Sequence, residues 1–257
     1  MINRVLVNFY GEEEVADLCK FADTLASKYR AEICGIYVKD MREYELMPPA
    51  VEGVVIDGVS NCTLRECEEA EKYKAEKIEQ KFKEFFPNSK FIVDDGIGTD
   101  VILQNMRGFD LLLLYKGNGI TSEIKSILKS RYKPVILVPE NVEDGLKNIL
   151  FADDNSENSN KSFFAFANIF GENFTYNIVN VELEEKSSGI AEYMEYAGIK
   201  KNIIEKSGDE FEGIKAEFDK NDLMIMGNLK YFYMIEKIIG KTGVKLLEHS
   251  TLPIFIG

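Results

Sequence analysis

The stretch Arg4-Val-Leu-Val-Asn-Phe-Tyr-Gly11 returns later in the chain as Asn148-Ile-Leu-Phe-Ala-Asp-Asp-Asn155. Each copy is an apolar strand that breaks into a polar turn and leads into a helical pattern. Sliding one copy by 144 positions, from Arg4 to Asn148, superposes the two starts. The two ends also match, Pro134-Val-Ile-Leu-Val138 against Pro253-Ile-Phe-Ile256. Units repeated at this distance are duplicated domains, because solenoid repeats run to only about 20 to 50 residues. The length of 257 residues agrees, since chains of that size begin to split into domains of roughly 100 to 150 residues. The expected domains are 1–142 and 146–257, joined by the polar run Glu140-Asn-Val-Glu-Asp-Gly-Leu-Lys147, which is short enough that the halves should touch.

Working outward from the repeated strand, short β-rich apolar runs predict strands at 3–9, 31–38, 90–94, 110–115 and 134–138 in the first half. The second half predicts them at 147–152, 175–181, 201–205, 222–227 and 253–256, with helices near 156–169, 185–197, 209–219 and 230–248. The strongest helical pattern covers 62–86, where Leu64, Cys67, Ala75, Ile78, Phe82 and Phe85 recur at three- or four-residue steps and Thr63 and Glu66 are spaced as a capping box. Near-continuous apolar strands such as Leu111–Leu114 and Leu223–Met226 have to be covered on both faces. The alternation of strand and helix then makes the fold α/β, with two tandem doubly wound domains, each a five-stranded parallel sheet flanked by helices. Asp40 to Asn61 is irregular, has no equivalent in the second half, and reads as an excursion or as a flap across a partner surface or ligand mouth.

Composition excludes several classes. No run approaches the roughly 18 apolar residues of a membrane helix, and the first apolar run stops at Glu12-Glu13-Glu14, against a secretory signal; the expected location is cytoplasmic, without membrane contact. Cys19, Cys34, Cys62 and Cys67 form no C-x-x-C pair, so they read as packed thiols and not as a metal site or disulfide frame. A net charge of −13, with scattered lysines and arginines, opposes nucleic-acid binding. It also opposes any anionic ligand unless local backbone amides or placed lysines overcome it.

The run from Asp222 through Gly227, Lys230, Gly240-Lys-Thr-Gly243 and Leu246-Leu-Glu-His-Ser-Thr-Leu-Pro253 carries a specific resemblance. It is similar to the universal stress protein family, whose nucleotide-binding members have Gly-x2-Gly-x9-Gly-[Ser/Thr] after the fourth strand and a His-[Ser/Ala]-x-x-Pro run before the fifth. Gly227 and Gly240 hold the first and third glycine positions, while Lys230 replaces the second glycine and Lys241 the Ser/Thr. Those lysines could meet phosphates as point charges; equally, Lys237, Lys241 and Lys245 repeat every four residues like a solvated helix face.

The resemblance implies an adenine nucleotide, ATP with magnesium, held by Asp154, Val181, Gly227, Lys230, Gly240, Lys241 and Thr242, and the halves packed as an internal pseudo-dimer through antiparallel last strands around Ile136 and Phe255. The first half departs further: Tyr10 stands where Asp154 does, and Asp110 to Pro134 spans 24 positions against 31 from Asp222 to Pro253. That half is expected to be structural or dimerising. Asp154 and its neighbours would cap the next helix in any case, and His249 reads as a helix-end residue, not a catalytic one. No catalytic residue is expected beyond slow ATP hydrolysis. The alternatives are a protein-interaction module without nucleotide, and a receiver-like phosphoacceptor suggested by Asp153-Asp154, with protein partners or a homodimer in either case.

Overall fold

A computed structural model describes residues 1–40, 64–117, 119–143, 145–181, 189–227 and 242–257. The excursion to Asn61, together with Cys62, Thr63, Lys230, Gly240 and Lys241, lies outside the described residues.

The first half alternates β1 (Arg4–Phe9), α1 (Val15–Tyr29), β2 (Glu32–Asp40), α2 (Leu64–Phe85), β3 (Phe91–Gly96), α3 (Gly98–Asn105), β4 (Leu111–Tyr115), α4 (Ser122–Ser130) and β5 (Val135–Val138). The second half follows with β6 (Asn148–Ala152), α5 (Glu157–Phe170), β7 (Thr175–Val181), α6 (Gly189–Tyr196), β8 (Lys201–Lys206), α7 (Glu210–Lys215), β9 (Leu223–Met226), α8 (Thr242–His249) and β10 (Ile254–Ile256). Each half lays five parallel strands side by side, in the order β3-β2-β1-β4-β5 and β8-β7-β6-β9-β10. The two sheets join through β5 and β10, so all ten strands form one sheet. The joint is antiparallel, with Phe255 opposite Ile136 and Ile254 opposite Leu137.

Alternation along the strands separates two cores, one on each face. Val5, Val7, Ile149, Phe151 and Phe255 pack with residues of α1, α2, α5 and α6, whereas Leu6, Leu112, Leu150 and Ile254 pack with residues of α3, α4, α7 and α8. The face of α2 is set by Cys67, Ala75, Ile78 and Phe82, all buried as their spacing predicts. Phe85 departs from that pattern: it is 42% exposed, and Phe86, just beyond the helix, turns inward instead. The chain direction changes there, so the ring of Phe86 meets that of Phe82 at 5.3 Å, tilted by 42°. Cys19, Cys34 and Cys67 are buried, and no disulfide joins them to one another. On α5, Phe163, Phe166 and Phe170 fall three and four residues apart on the buried side.

The repeat extends to single hydrogen bonds. Asp110, just before β4, accepts from the backbone N–H groups of Asn3 and Arg4 at 2.8 and 3.0 Å and donates its own N–H to the Arg4 carbonyl. Asp222, just before β9, accepts from Lys147 and Asn148 at 2.7 and 2.8 Å and donates its N–H to the Asn148 carbonyl. Each aspartate thereby fixes the entry of the first strand of its half. Replacing Asp222 by Ala is expected to cost about 2 to 3 kcal/mol, from two charge-assisted bonds and the backbone donors left behind, and Asp110→Ala should cost a similar amount. Urea denaturation of each variant checks this; a loss under about 0.5 kcal/mol would contradict the assigned role.

Contacts across the halves surround the joint. The Ile2 N–H donates to the Ile169 carbonyl at 2.8 Å, the Tyr29 and Phe170 rings meet at 5.5 Å, and the Lys28 ammonium lies 4.3 Å from the Phe174 ring centroid. Arg131 donates to the Gly257 carbonyl at 3.0 Å, its guanidinium pushed down to about 10 by burial.

Candidate functional site

In a doubly wound sheet a ligand crevice opens beyond the carboxyl ends of the strands, where neighbouring connections run to opposite sides. β1 is that point in the first half, between β2 and β4; β6 is its equivalent, between β7 and β9.

At the end of β6, alternation turns Asp153 into the fold, where it is 4% exposed, and leaves Asp154 at the exposed turn. Asn155 follows in the left-handed region with φ 56°. Ser156 caps α5, its Oγ accepting from the Ser159 N–H at 3.2 Å. The Ser159 hydroxyl in turn lies 2.6 Å from Asp154 Oδ1 and 3.1 Å from Asp153 Oδ1. Burial alone would raise the Asp154 carboxyl, but hydrogen bonds from Ser156 and Ser159 outweigh it and hold the group below its ordinary range. Asp153 Oδ1 also accepts from the Asn155 N–H at 3.0 Å, while its Oδ2 is buried with no partner. Asn180, near the carboxyl end of β7, has a buried Oδ1 that is likewise unpartnered.

Gly227 follows β9 and runs against the start of α5. A Cβ there would stand 3.1 Å from the Ser159 nitrogen and 3.4 Å from the Asn158 carbonyl carbon, so a side chain would displace the helix end. Asp154 and Gly227 are thus brought together through Ser159. Val181 and Thr242 sit around α7 instead: Val181 Cγ2 lies 3.3 Å from a Cβ placed on Gly213, and the Thr242 hydroxyl bonds the Glu210 carboxylate. The remaining expected residues, Lys230, Gly240 and Lys241, fall outside the described residues. His249 ends α8, its ring edge-on to Phe211 at 5.8 Å.

Sequence reasoning passed over Ser159 and Asn180, and took Asp153 only as part of a receiver-like acidic pair. Their signals were present: Asp153 belongs to the same acidic turn, Ser159 stands three residues after the cap, and Asn180 interrupts an apolar strand.

The crevice of the first half differs in chemistry. Asn8, Phe9, Tyr10, Tyr37, Val38 and Asp40 from β1 and β2 line a cavity of about 110 Å³, closed by Glu71 and Lys74 of α2, Gly98 and Ile102 of α3, and Glu123 of α4. Behind it, Glu14 Oε2 accepts from the Tyr10 N–H at 2.8 Å. Among the described residues no three His, Cys, Asp or Glu side chains converge as metal ligands, and no helix is long and apolar enough to cross a membrane.

Fold and site together define a tandem doubly wound α/β protein with one topological switch point in each half. In that architecture the chain resembles tandem universal stress proteins. It is similar to the crystal structure of a universal stress protein from Archaeoglobus fulgidus, with a TM-score of 0.65 and 18% identity over 98% of this chain and 95% of that one. It is similar also to a functionally unknown protein from Pseudomonas aeruginosa, with a TM-score of 0.60 and 12% identity over 99% of this chain and 92% of that one. The cytoplasmic domain of a prokaryotic cation chloride cotransporter matches with a TM-score of 0.52 and 11% identity over 99% of this chain and 95% of that one. No family model and no curated protein matches the sequence. Likeness at such identities establishes the fold and leaves activity to the site.

Proposed function

We propose that this chain is a binding and signalling protein of the universal stress type that takes one adenine nucleotide, ATP with magnesium, in its second half. The observation that supports this most lies at the carboxyl ends of β6 and β7. Two buried polar atoms, Asp153 Oδ2 and Asn180 Oδ1, have no partner in the fold, and such atoms call for a ligand or ordered water. Asp154 and Val181 would face the base and ribose, and Gly227, Lys230, Gly240, Lys241 and Thr242 the phosphates. Bound there, the nucleotide supplies a triphosphate charge that this acidic chain balances with Lys230 and Lys241. The protein would act in the cytoplasm through protein partners or a homodimer, with at most slow hydrolysis.

A second reading, an interaction module without nucleotide, draws support from Gly227, whose contact with α5 accounts for a glycine without any phosphate. Variants separate the two. Asp154→Ala and Lys230→Glu should each weaken ATP binding at least tenfold, or about 1.4 kcal/mol, measured by calorimetry on nucleotide-stripped protein. Affinity untouched in both variants would favour the interaction module.

A further inference from the structure

The ten-stranded sheet ends in β3 on one side and in β8 on the other. Among the described strands β8 pairs with β7 alone. The Lys200 carbonyl accepts from the Tyr176 N–H at 2.9 Å, so by alternation the backbone groups of Asn202, Ile204 and Lys206 also face β7. Those of Lys201, Ile203 and Glu205 point away from the sheet, and such an outward row of N–H and C=O groups is a template for another strand.

The side chains of these three residues share one face. It is the face that carries α6, because the Lys201 ammonium lies 3.3 Å from the carboxylate of Glu195 on that helix. Ile203 stands between Lys201 and Glu205 and is 45% exposed, whereas Ile204, on the other face, packs against the core that holds Leu150 and Val179. Glu205 is exposed, and no ion pair holds it among the described residues. A cation, an exposed apolar residue and a carboxylate at steps of two make the edge complementary to itself. A two-fold axis through Ile203 sets that residue against its own copy and sets Lys201 against the partner's Glu205 twice. All three pairs bring outward backbone groups together, so they would exchange about six hydrogen bonds. A slip of two residues in either direction breaks both ion pairs and leaves a charge opposite Ile203. Past the ion pairs Lys200 comes opposite Lys206, whose ammonium is already held by Glu217 at 2.9 Å.

The other edge lacks this pattern. The Gly35 N–H donates to the Lys90 carbonyl, so Phe91, Val93 and Asp95 point outward from β3. The same two-fold would set Asp95 against Phe91 and Asp94 against Ile92, with no cation on the strand to meet either carboxylate. Charge of that kind blunts an edge.

We propose that β8 is a self-association edge, at which two copies of this chain pair β8 to β8, antiparallel, with Ile203 at the two-fold and Lys201 against the partner's Glu205. Because the contact uses the same strand of both copies and β3 is guarded, the assembly closes as a dimer and does not grow into a filament. The pairing rests on the homodimer reading given above and is independent of the nucleotide.

The test is sedimentation equilibrium of the full chain, stripped of nucleotide, up to high micromolar concentration. A reversible dimer of twice the 29.2 kDa chain is expected. Ile203→Lys sets two ammoniums face to face and should weaken the dimer at least tenfold. Lys201→Glu and Glu205→Lys each set like charges opposite one another in both outer pairs and should do the same. Mixed in equal amounts, these last two variants should dimerise again, because a chain with lysine at both positions meets a chain with glutamate at both. That recovery also shows that each is folded. A wild-type chain that stays monomeric would overturn both the homodimer reading and the pairing. A dimer that none of the three substitutions weakens would leave the homodimer standing and overturn the pairing alone, as would two charge variants that fail to associate when mixed.

Discussion

Phe255→Ala is expected to lower the stability of the whole chain by about 3 to 5 kcal/mol, the usual cost of emptying a fully buried aromatic site. Phe255 is fully buried and lies opposite Ile136 in the antiparallel joint. Its ring also meets Phe166 edge-on at 5.2 Å and Phe170 at 6.0 Å, both on α5. Because one core on this face runs without interruption through residues of both halves, the loss should not stay local. The midpoint of chemical denaturation should fall for both halves together in a single transition, monitored by far-ultraviolet circular dichroism and by tyrosine fluorescence. A loss under about 1 kcal/mol, or one half melting while the other is untouched, would mean that the joint contributes little to either half.

Glu14→Gln is expected to stabilise the protein at pH 8 and to have little effect at pH 4.5. Glu14 is only 6% exposed, and burial pushes its carboxyl up from 4.5 to about 7, helped by Glu13 and opposed by hydrogen bonds from the Tyr10 and Gly11 backbone and by Lys74. A carboxyl raised on folding binds its proton more tightly in the native state. Below pH 4.5 both states are protonated and nothing is lost; between pH 4.5 and 7 the native state forfeits stability as pH rises, and above pH 7 the penalty is complete. With about 1.4 kcal/mol per pKa unit, that penalty is about 3 kcal/mol. Glutamine retains an oxygen that can accept from the Tyr10 N–H and carries no charge. Thermal denaturation of both proteins from pH 4.5 to 8 should show their difference widening with pH. A difference independent of pH would show that the Glu14 carboxyl is not the source.

Much of the architecture was legible from residues alone, for identifiable reasons. The strands of a doubly wound sheet are buried on both faces, so runs such as Leu111–Leu114 and Thr175–Val181 stand out, and the structure places strands there. The joint between Ile136 and Phe255 is the one that the resemblance implied, with the Pro-led ends marking the two strands that form it. The equivalence of Asp110 and Asp222, visible as an offset before each Pro-led strand, is realised in matching hydrogen bonds.

What stayed hidden depends on residues distant in sequence. Glu14 reads as one of three surface glutamates in a row, and only the return of its carboxylate to the Tyr10 N–H buries it. Gly227 reads as a loop glycine, whereas its contact is with the start of α5, an element separated from it by three strands in sequence. Asn8 reads as a polar lapse in an apolar strand until Tyr10 and the carboxylates of α2 and α4 close around it. Phe85 and Phe86 show the limit of periodicity, since the helix ends between them and the second ring takes the core position.

The central functional claim, one nucleotide site per chain in the second half, is met most directly by calorimetric titration of the stripped, full-length protein with ATP and magnesium. The account predicts a single site per chain with a dissociation constant near micromolar, on the order of 8 kcal/mol of binding free energy. Two sites per chain, or no binding heat with no nucleotide carried by the purified protein in mass spectrometry, would contradict it.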